Sequence, residues 1–508
     1  MTTPSAVPSI GEPASRPLRR TRTLPSRIAP LLLTPIALFI HGYHPFANDA
    51  DLYIAAVRRL LDPALYPLNA VFVTAFTRWS AFPWTLAGLV RLTHLPLPWI
   101  LLATHLLSIV LFLTACRLLA TRLFVAESAR WCAVLLAAAC CALPVAGTAL
   151  VLMDPYVTAR SFSTPLALFA VAACLRRAWL RTALLLTLAV LIHPLMGAYA
   201  VAFILLLALI DSGRLRTALA LSAGACAAAA GAFAMARHAR VSDAYYQAVS
   251  LPARTFLFLG RWQWYEILGL VLPLLLFAAA ARRLPRRSST QSLCFAAVLL
   301  GSTAALMAVL FVPPAGPYLL VPLQVLRGFH ILYAVGIVLL AAPLAALMQR
   351  ARFAGIGLLI LIFAVMFLVE RVSWPGSHRI EWPGMRPANP YEQAFLWIRG
   401  HTPADAVFAF DPQLVYQPGE DEQGFRVLSE RDQLADDKDA GVVAVVPRLA
   451  QRWAAQRNAE ASANRISDAE RRSRLMPLGA TWLLLAPNAP TALPCPFRNA
   501  AVQVCQMR

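Results

Sequence analysis

Apolar runs of roughly 16 to 22 residues recur from about Ile28 to Val369, and this repetition limits the fold more than any other feature of the chain. A run of that length crosses the hydrocarbon core of a bilayer as a helix. In lipid only helices and closed barrels satisfy their own backbone hydrogen bonds. Charged residues make up 14% of the 508 residues, against about 25% in soluble domains. The pattern predicts an α-helical polytopic membrane protein. From about Arg371 onward charges, prolines and short strand-like runs mix, as in a small soluble α/β domain.

The formal net charge is +20. The arginines sit mainly between apolar segments, so this charge reads as topological charge and contact with anionic lipid, not as a nucleic-acid surface. Residues 1–27, rich in Pro and Ser with Arg16, Arg19, Arg20, Arg22 and Arg27, read as a disordered basic cytoplasmic tail. The segment from about Ile28 to Gly42 lacks a small-residue cleavage site and reads as a retained first helix.

Alternation between arginine-rich turns predicts about eleven spans over residues 28–370 and an extracytoplasmic domain over 371–508. The third span is expected from about Trp131 to Met153. The apolar arms Thr182 to Ile192 and Gly197 to Ile210 are together too long for one span, and read as two short helices turning at His193-Pro194.

The first outside loop, residues 44–96, is too polar to be a span. Asp49 to Leu61 reads as an amphipathic helix, and Leu68 to Ser80 and Phe82 to Leu92 as interfacial helices. Trp79, Trp84 and Trp99 suit the headgroup layer. Where the first helix leaves the bilayer, the loop opens with His44, Asn48, Asp49 and Asp51. Ionisable groups at such a boundary cost free energy unless solvated or paired. Two readings stay open. Asn48 is an N-cap, with both acids favouring the positive end of the helix, or the D-x-D serves a ligand. Residues two apart do not share a helical face, so both acids meet one ligand only where the backbone is still a turn.

Three further polar clusters fall on the same side. Asp154 with Arg160 is either a turn with a local ion pair or a second acidic loop. His193 is a kink histidine or a donor to a phosphate or hydroxyl. Arg327, near His330, either snorkels or offers a planar fork to a phosphate. A carboxylate to deprotonate an acceptor, with cations to stabilise a phosphate leaving group, suits group transfer from a lipid phosphate. The candidate catalytic residues are Asp49, Asp51 and Asp154, and the candidate substrate-binding residues are His44, Arg160, His193, Arg327 and His330.

In the terminal region, Asn389 to Gly400 and Arg448 to Asn464 read as helices, and Ala406 to Phe410, Gly441 to Val446 and Ala480 to Ala486 as strands. It carries no phosphate loop, nucleophile elbow or zinc motif, so no catalytic part is expected of it. Lys438, the only lysine in the chain, reads as base composition. Seven cysteines lie in or beside apolar segments as small core residues. In an oxidising compartment Cys495 and Cys505 are a candidate disulfide pair.

On these residues the layout resembles the GT-C class of polytopic membrane glycosyltransferases. That class has a short basic N-terminus, a long first outside loop with interfacial helices, an acidic motif after the first span and a second acidic loop after the third. Many members also have a soluble outside domain, and Asn389 to Phe410 is similar to the tails of bacterial members. The resemblance implies a multi-pass protein of the bacterial cytoplasmic membrane with its N-terminus inside. It would transfer a sugar from a polyprenyl-phosphate carrier to an extracytoplasmic acceptor, with inversion. By position, Asp49 or Asp51 matches the first-loop acid, a base or a ligand of a divalent cation (Mg or Mn). Asp154 matches the second-loop acid and Arg327 a phosphate-binding arginine, and no lysine is expected at the lipid phosphate. Two competing readings are a non-catalytic membrane scaffold and a transporter of a lipid-linked substrate. The transporter reading calls for paired broken helices, of which only His193-Pro194 resembles one.

Overall fold

The computed structural model describes residues 26–236, 241–314 and 316–507, so most of the basic tail lies outside the described residues. The first part of the chain is helical: α1 (Ala29–His41), α2 (Asp49–Leu61), α3 (Ala70–Val73), α4 (Phe82–Thr93), α5 (Leu97–Leu123), α6 (Glu127–Ala139), α7 (Arg160–Cys174), α8 (Trp179–Ile192), α9 (Pro194–Asp211), α10 (Leu215–Ala236), α11 (Asp243–Ser250), α12 (Trp264–Arg283), α13 (Ser289–Phe311), α14 (Phe329–Arg350) and α15 (Arg352–Ser373). Among the described residues, seven helical stretches are long and apolar enough to cross a membrane: α5, α9, α10, α12, α13, Val321–Arg350 (which ends in α14) and α15. Ser26–His41, α7 and α8 are shorter apolar helices.

The apolar stretch from Trp131 does not stay helical to Met153. Helix α6 stops at Ala139, and the chain runs irregularly to Ala159, folded back by a bridge between Pro144 and Val151. Pro144 has no N–H and disfavours helix in the residue before it, which accounts for the stop. Gly147 then lets the Trp262 indole lie against the backbone, since a Cβ there would sit 2.6 Å from the ring. At the turn between α8 and α9, His193 is extended (φ −143°, ψ 92°) and Pro194 opens α9, a position that does not need its missing N–H. Helix α9 folds back on α8 so closely that a Cβ on Gly197 would lie 2.6 Å from the Val190 Cα.

Loops gather at two ends of the bundle. At one end, the backbone N–H groups of Tyr43, His44 and Asn48 donate to the carbonyls of Arg379 (3.0 Å), Pro155 (2.9 Å) and Glu422 (2.8 Å). At the other, the Ser26 N–H donates to Glu127, Gln349 donates to Ser128 Oγ at 3.3 Å, and Arg177 stands 3.8 Å from Asp211.

The terminal module sits on the first of these ends. It contains α16 (Pro390–His401), α17 (Phe425–Ser429), α18 (Ala440–Val445), α19 (Ala450–Glu460) and α20 (Asp468–Leu475). Its five strands are β1 (Val407–Phe410), β2 (Asp432–Gln433), β3 (Trp482–Leu485), β4 (Phe497–Arg498) and β5 (Gln503–Gln506). The sheet order is β2-β1-β3-β5-β4, with β1 parallel to β2 and β3, and β5 antiparallel to β3 and β4. All four residues of β1 are buried, because Phe395 and Phe425 cover one face and Leu475 and Leu483 belong to the core on the other. Cys495 and Cys505 are joined by a disulfide that ties β5 to the loop before β4.

The run from Gly441 to Val446, expected as a strand, forms α18 instead. A short apolar run does not distinguish a strand from a buried helical turn. Here it is buried against α11 and the loops around it, where the Tyr245 hydroxyl donates to the Ala444 carbonyl at 3.0 Å. The module is pinned to the first loop as well. Asp432 accepts from the Leu68 and Asn69 N–H groups at 2.7 and 3.1 Å, and the Asn69 amide donates to the Gln433 carbonyl at 2.6 Å.

Candidate active site

Helix α2 begins where the module meets the loop, and the side chain of Asn48 does not cap it. Asn48 takes a positive φ of 49°, and its Oδ1 accepts a 2.6 Å hydrogen bond from Lys438 Nζ. The two acids that follow then part company. Asp49 faces a cavity of about 410 Å3. Asp51 turns the other way and packs against Gly424, close to the buried Arg426–Asp439 pair. The D-x-D therefore does not converge on one ligand, because the backbone is already helical at Asp49 and the two side chains leave on different faces.

The cavity collects side chains from remote parts of the chain. Asp49 and Tyr53 come from α2, Arg160 from α7, and His193 from the α8–α9 turn. Arg254 and Phe256 come from the loop after α11, Arg327 from the turn before α14, and Lys438 from the turn before α18. Leu52, Phe76, Trp79, Leu195 and Val445 make much of the remaining wall apolar.

Arg160 is the best-anchored of the cations. Its Nη1 donates to Asp49 Oδ2 at 2.9 Å, and its Nη2 donates to both oxygens of Asp154 at 3.1 Å. Thr158 Oγ1 donates to Asp154 Oδ2 at 3.0 Å. Asp154 does not line the cavity; it holds Arg160 from behind. Arg254 donates through Nη2 to the carbonyls of Asp437 (3.1 Å) and Lys438 (2.9 Å), which fixes the turn that carries Lys438. Lys438 also reaches Glu422 at 3.2 Å. The guanidinium groups of Arg254 and Arg327 lie 6.0 and 5.5 Å from the centre of the Phe256 ring. Among the described residues no carboxylate lies within ion-pair distance of Arg327, and its buried Nε has no hydrogen-bond partner.

Burial pushes the Asp49 carboxyl up, but Arg160, Lys438 and Arg327 together hold it well below the usual carboxylate range. Asp51 behaves in the opposite way: burial dominates and pushes it up to about 6. Burial works against the Lys438 ammonium, yet Glu422 and Asp49 raise it above its ordinary value.

Two of the expected substrate-binding residues lie elsewhere. His44 is buried, its Nδ1 3.0 Å from Glu381 Oε1 and its ring stacked on Trp374 with centroids 4.3 Å apart. His330 is buried behind the cavity with Nε2 3.1 Å from the Leu152 carbonyl oxygen. Both follow the ordinary fate of a histidine beside an apolar segment, as a packed group with a backbone or carboxylate partner. His193 does line the cavity, and its Nδ1 faces the Met196 N–H at 3.5 Å.

Arg254 and Lys438 were not expected here. A lone lysine in a chain otherwise basic only through arginine, set within Asp436-Asp437-Lys438-Asp439, is the sequence signal that the reading as base composition passed over. Nothing in the sequence singles out Arg254.

Among the described residues Asp49 is the one carboxylate in the cavity wall, and Arg160, Arg254, Arg327 and Lys438 line the cavity with it. Mg and Mn take several oxygen ligands and repel such cations, so the donor set fits a phosphate and not a divalent metal ion.

No family model and no curated protein sequence matches the chain. Among solved structures, it is similar to the archaeal oligosaccharyltransferase AglB from Archaeoglobus fulgidus in complex with an inhibitory peptide and a dolichol-phosphate. The TM-score is 0.46 and the identity 10%, over 90% of this chain and 69% of that one. A structure of the Archaeoglobus fulgidus oligosaccharyltransferase in the apo form gives a TM-score of 0.45, again at 10% identity and over 90% and 69% of the two chains.

Proposed function

We propose that the chain is a membrane glycosyltransferase that moves a sugar from a polyprenyl-phosphate donor to a hydroxyl acceptor. The observation that carries this reading is the meeting of one ionised acid, Asp49, with Arg160, Arg254, Arg327, Lys438 and His193 in a single largely apolar cavity. The cations suit a lipid phosphate, and the apolar wall suits the start of a prenyl chain.

In this reading Asp49 accepts the proton of the acceptor hydroxyl as its oxygen attacks the anomeric carbon. The bond from that carbon to the phosphate oxygen breaks, and the phosphate leaves with the added charge. Arg327, Arg254 and Lys438 stabilise that charge. Asp49 is a weak base while three cations hold it down. A bound phosphate offsets those cations and raises the basicity of Asp49 only once the donor is in place.

The eleven helices α1, α5–α10 and α12–α15 are the proposed crossings. The end opposite the cavity carries Arg122, Arg176, Arg214, Arg283 and Arg350, and the charge rule makes that end cytoplasmic. The cavity and the terminal module, from about residue 371, then face the outer side.

Asp49→Asn keeps the size of the side chain and most of the hydrogen bonding to Arg160 while removing the base. In membranes containing the variant, transfer from a polyprenyl-phosphate sugar is expected to fall by at least about a hundredfold. The protein should still fold, with a smaller loss of detergent stability than removal of the Asp154 charge causes, because 28% of the Asp49 side chain is exposed against 3% for Asp154. Wild-type transfer rates in a folded Asp49→Asn protein contradict the assignment.

A further inference from the structure

A second cavity, of about 280 Å3, opens between the first loop and the linker into the terminal module, and shares no lining residue with the first. Tyr43 and Arg58 form one part of its wall, and Glu381, Trp382, Glu392 and Arg399 another. It lies at the small end of ligand cavities, with room for a compact polar group and none for a lipid chain.

Of the three arginines that line it, Arg58 and Arg399 are already committed, since both pair with Glu430, and Arg386 is exposed at the rim. What the cavity has in surplus is unused hydrogen-bonding capacity. The buried Tyr43 hydroxyl, Glu381 Oε2 and Arg58 Nε have no partner. His44 and Gln423 both direct their hydrogen bonds to the other oxygen of Glu381, at 3.0 and 3.4 Å. Burial, and for Glu392 the neighbouring Glu381, pushes both carboxyls well above the usual carboxylate range, which favours the protonated form that donates as well as accepts. At the rim, the turn Trp382-Pro383-Gly384-Met385 is closed by the Met385 N–H donating to the Trp382 carbonyl at 3.0 Å. Gly384 takes φ +84°, as a turn with proline before it requires. That turn leaves the Trp382 side chain about half exposed (47%) beside the opening.

Neutral donors and acceptors that lack partners, next to an aromatic face, match a ligand with several hydroxyls on one side and C–H groups on the other. We propose that this cavity binds a single ring of a neutral sugar, with its hydroxyls on Tyr43, Glu381 and Glu392 and its apolar face on Trp382. The site goes beyond the transfer reading and stands without it.

The test is saturation-transfer NMR on the full-length protein in nanodiscs, with methyl glucoside, methyl mannoside, N-acetylglucosamine and xylose as probes, and with inorganic phosphate and glycerophosphocholine as competitors. At least one sugar is expected to receive saturation, and Trp382→Ala to weaken it about tenfold. Glu392→Gln, which keeps the hydrogen-bonding groups, should bind nearly as wild type, whereas Glu392→Ala should not. Asp49→Asn should bind normally, which separates this site from the transfer reaction. Absence of transfer to all four sugars overturns the proposal. So does binding that is indifferent to Trp382→Ala, or displacement by phosphate or glycerophosphocholine at equal concentration.

Discussion

Asp154 lies outside the cavity wall, yet its removal should be felt inside it. Arg160 is almost fully buried, with 4% of its side chain exposed, and divides its guanidinium between Asp154 and Asp49. In Asp154→Asn the arginine keeps its volume and loses half of its countercharge. Breaking a buried pair of this kind costs about 3–5 kcal/mol, because the remaining charge is left under-compensated. We expect a clear fall in melting temperature in detergent, with a loss of transfer that Asp154→Glu restores only in part. An Asp154→Asn protein as stable and active as wild type contradicts the positioning role. At this scale much of the site was legible: Asp49, Arg160, His193 and Arg327 all reach one cavity. Asp51, two residues from Asp49, does not, and its type and spacing alone hide which way a helix turns it.

Among the elements, the α8–α9 turn is the tightest constraint on the site, because it carries His193. The close approach of Gly197 to Val190 leaves no room for a methyl group. Gly197→Ala should cost about 3 kcal/mol through overpacking against backbone. It should also move His193 out of the wall, read as weakened donor binding with normal membrane insertion. Unchanged binding in that variant shows that the turn has slack it is not expected to have. The sequence signs for this turn were His193-Pro194 and two short apolar arms, and the observed helices α8 and α9 follow them. The signs failed where context decides. Gly441 to Val446 is apolar and β-branched enough for a strand, but it packs as a helix with one face on α11 and the loops around it and another lining the cavity. The run after Ala139 is hydrophobic enough for a span, but Pro144 ends the helix.

Across the whole molecule, the joint between the loops and the terminal module is unusually rich in buried acids. Burial, as the main cause, pushes Asp51 up to about 6, Asp436 to about 7, and Glu381 and Glu392 to about 8, and raises Glu420 and Glu460 as well. Each binds its proton more tightly folded than unfolded, where a carboxyl titrates near about 4. Their contribution is therefore complete at low pH and is lost as pH rises from about 4 through the folded values. The module should melt at a higher temperature at about pH 5 than at about pH 8, falling progressively between them, followed by fluorescence of its tryptophans. A flat profile, or one rising over that range, contradicts this burial. The joint also explains why the role of Lys438 was missed. A residue almost four hundred positions from Asp49 enters the cavity only because the module docks there, which no local pattern reveals.

The central claim is that this cavity takes the phosphate of a lipid carrier between Arg327 and Lys438. Titration of the nanodisc-embedded protein with a short-chain polyprenyl phosphate, followed by native mass spectrometry, tests it most directly. Arg327→Ala combined with Lys438→Met should weaken binding about a hundredfold while leaving the fold intact, since each charge-assisted contact is worth about a factor of ten or more. Equal affinity in the wild type and the double variant would contradict the claim.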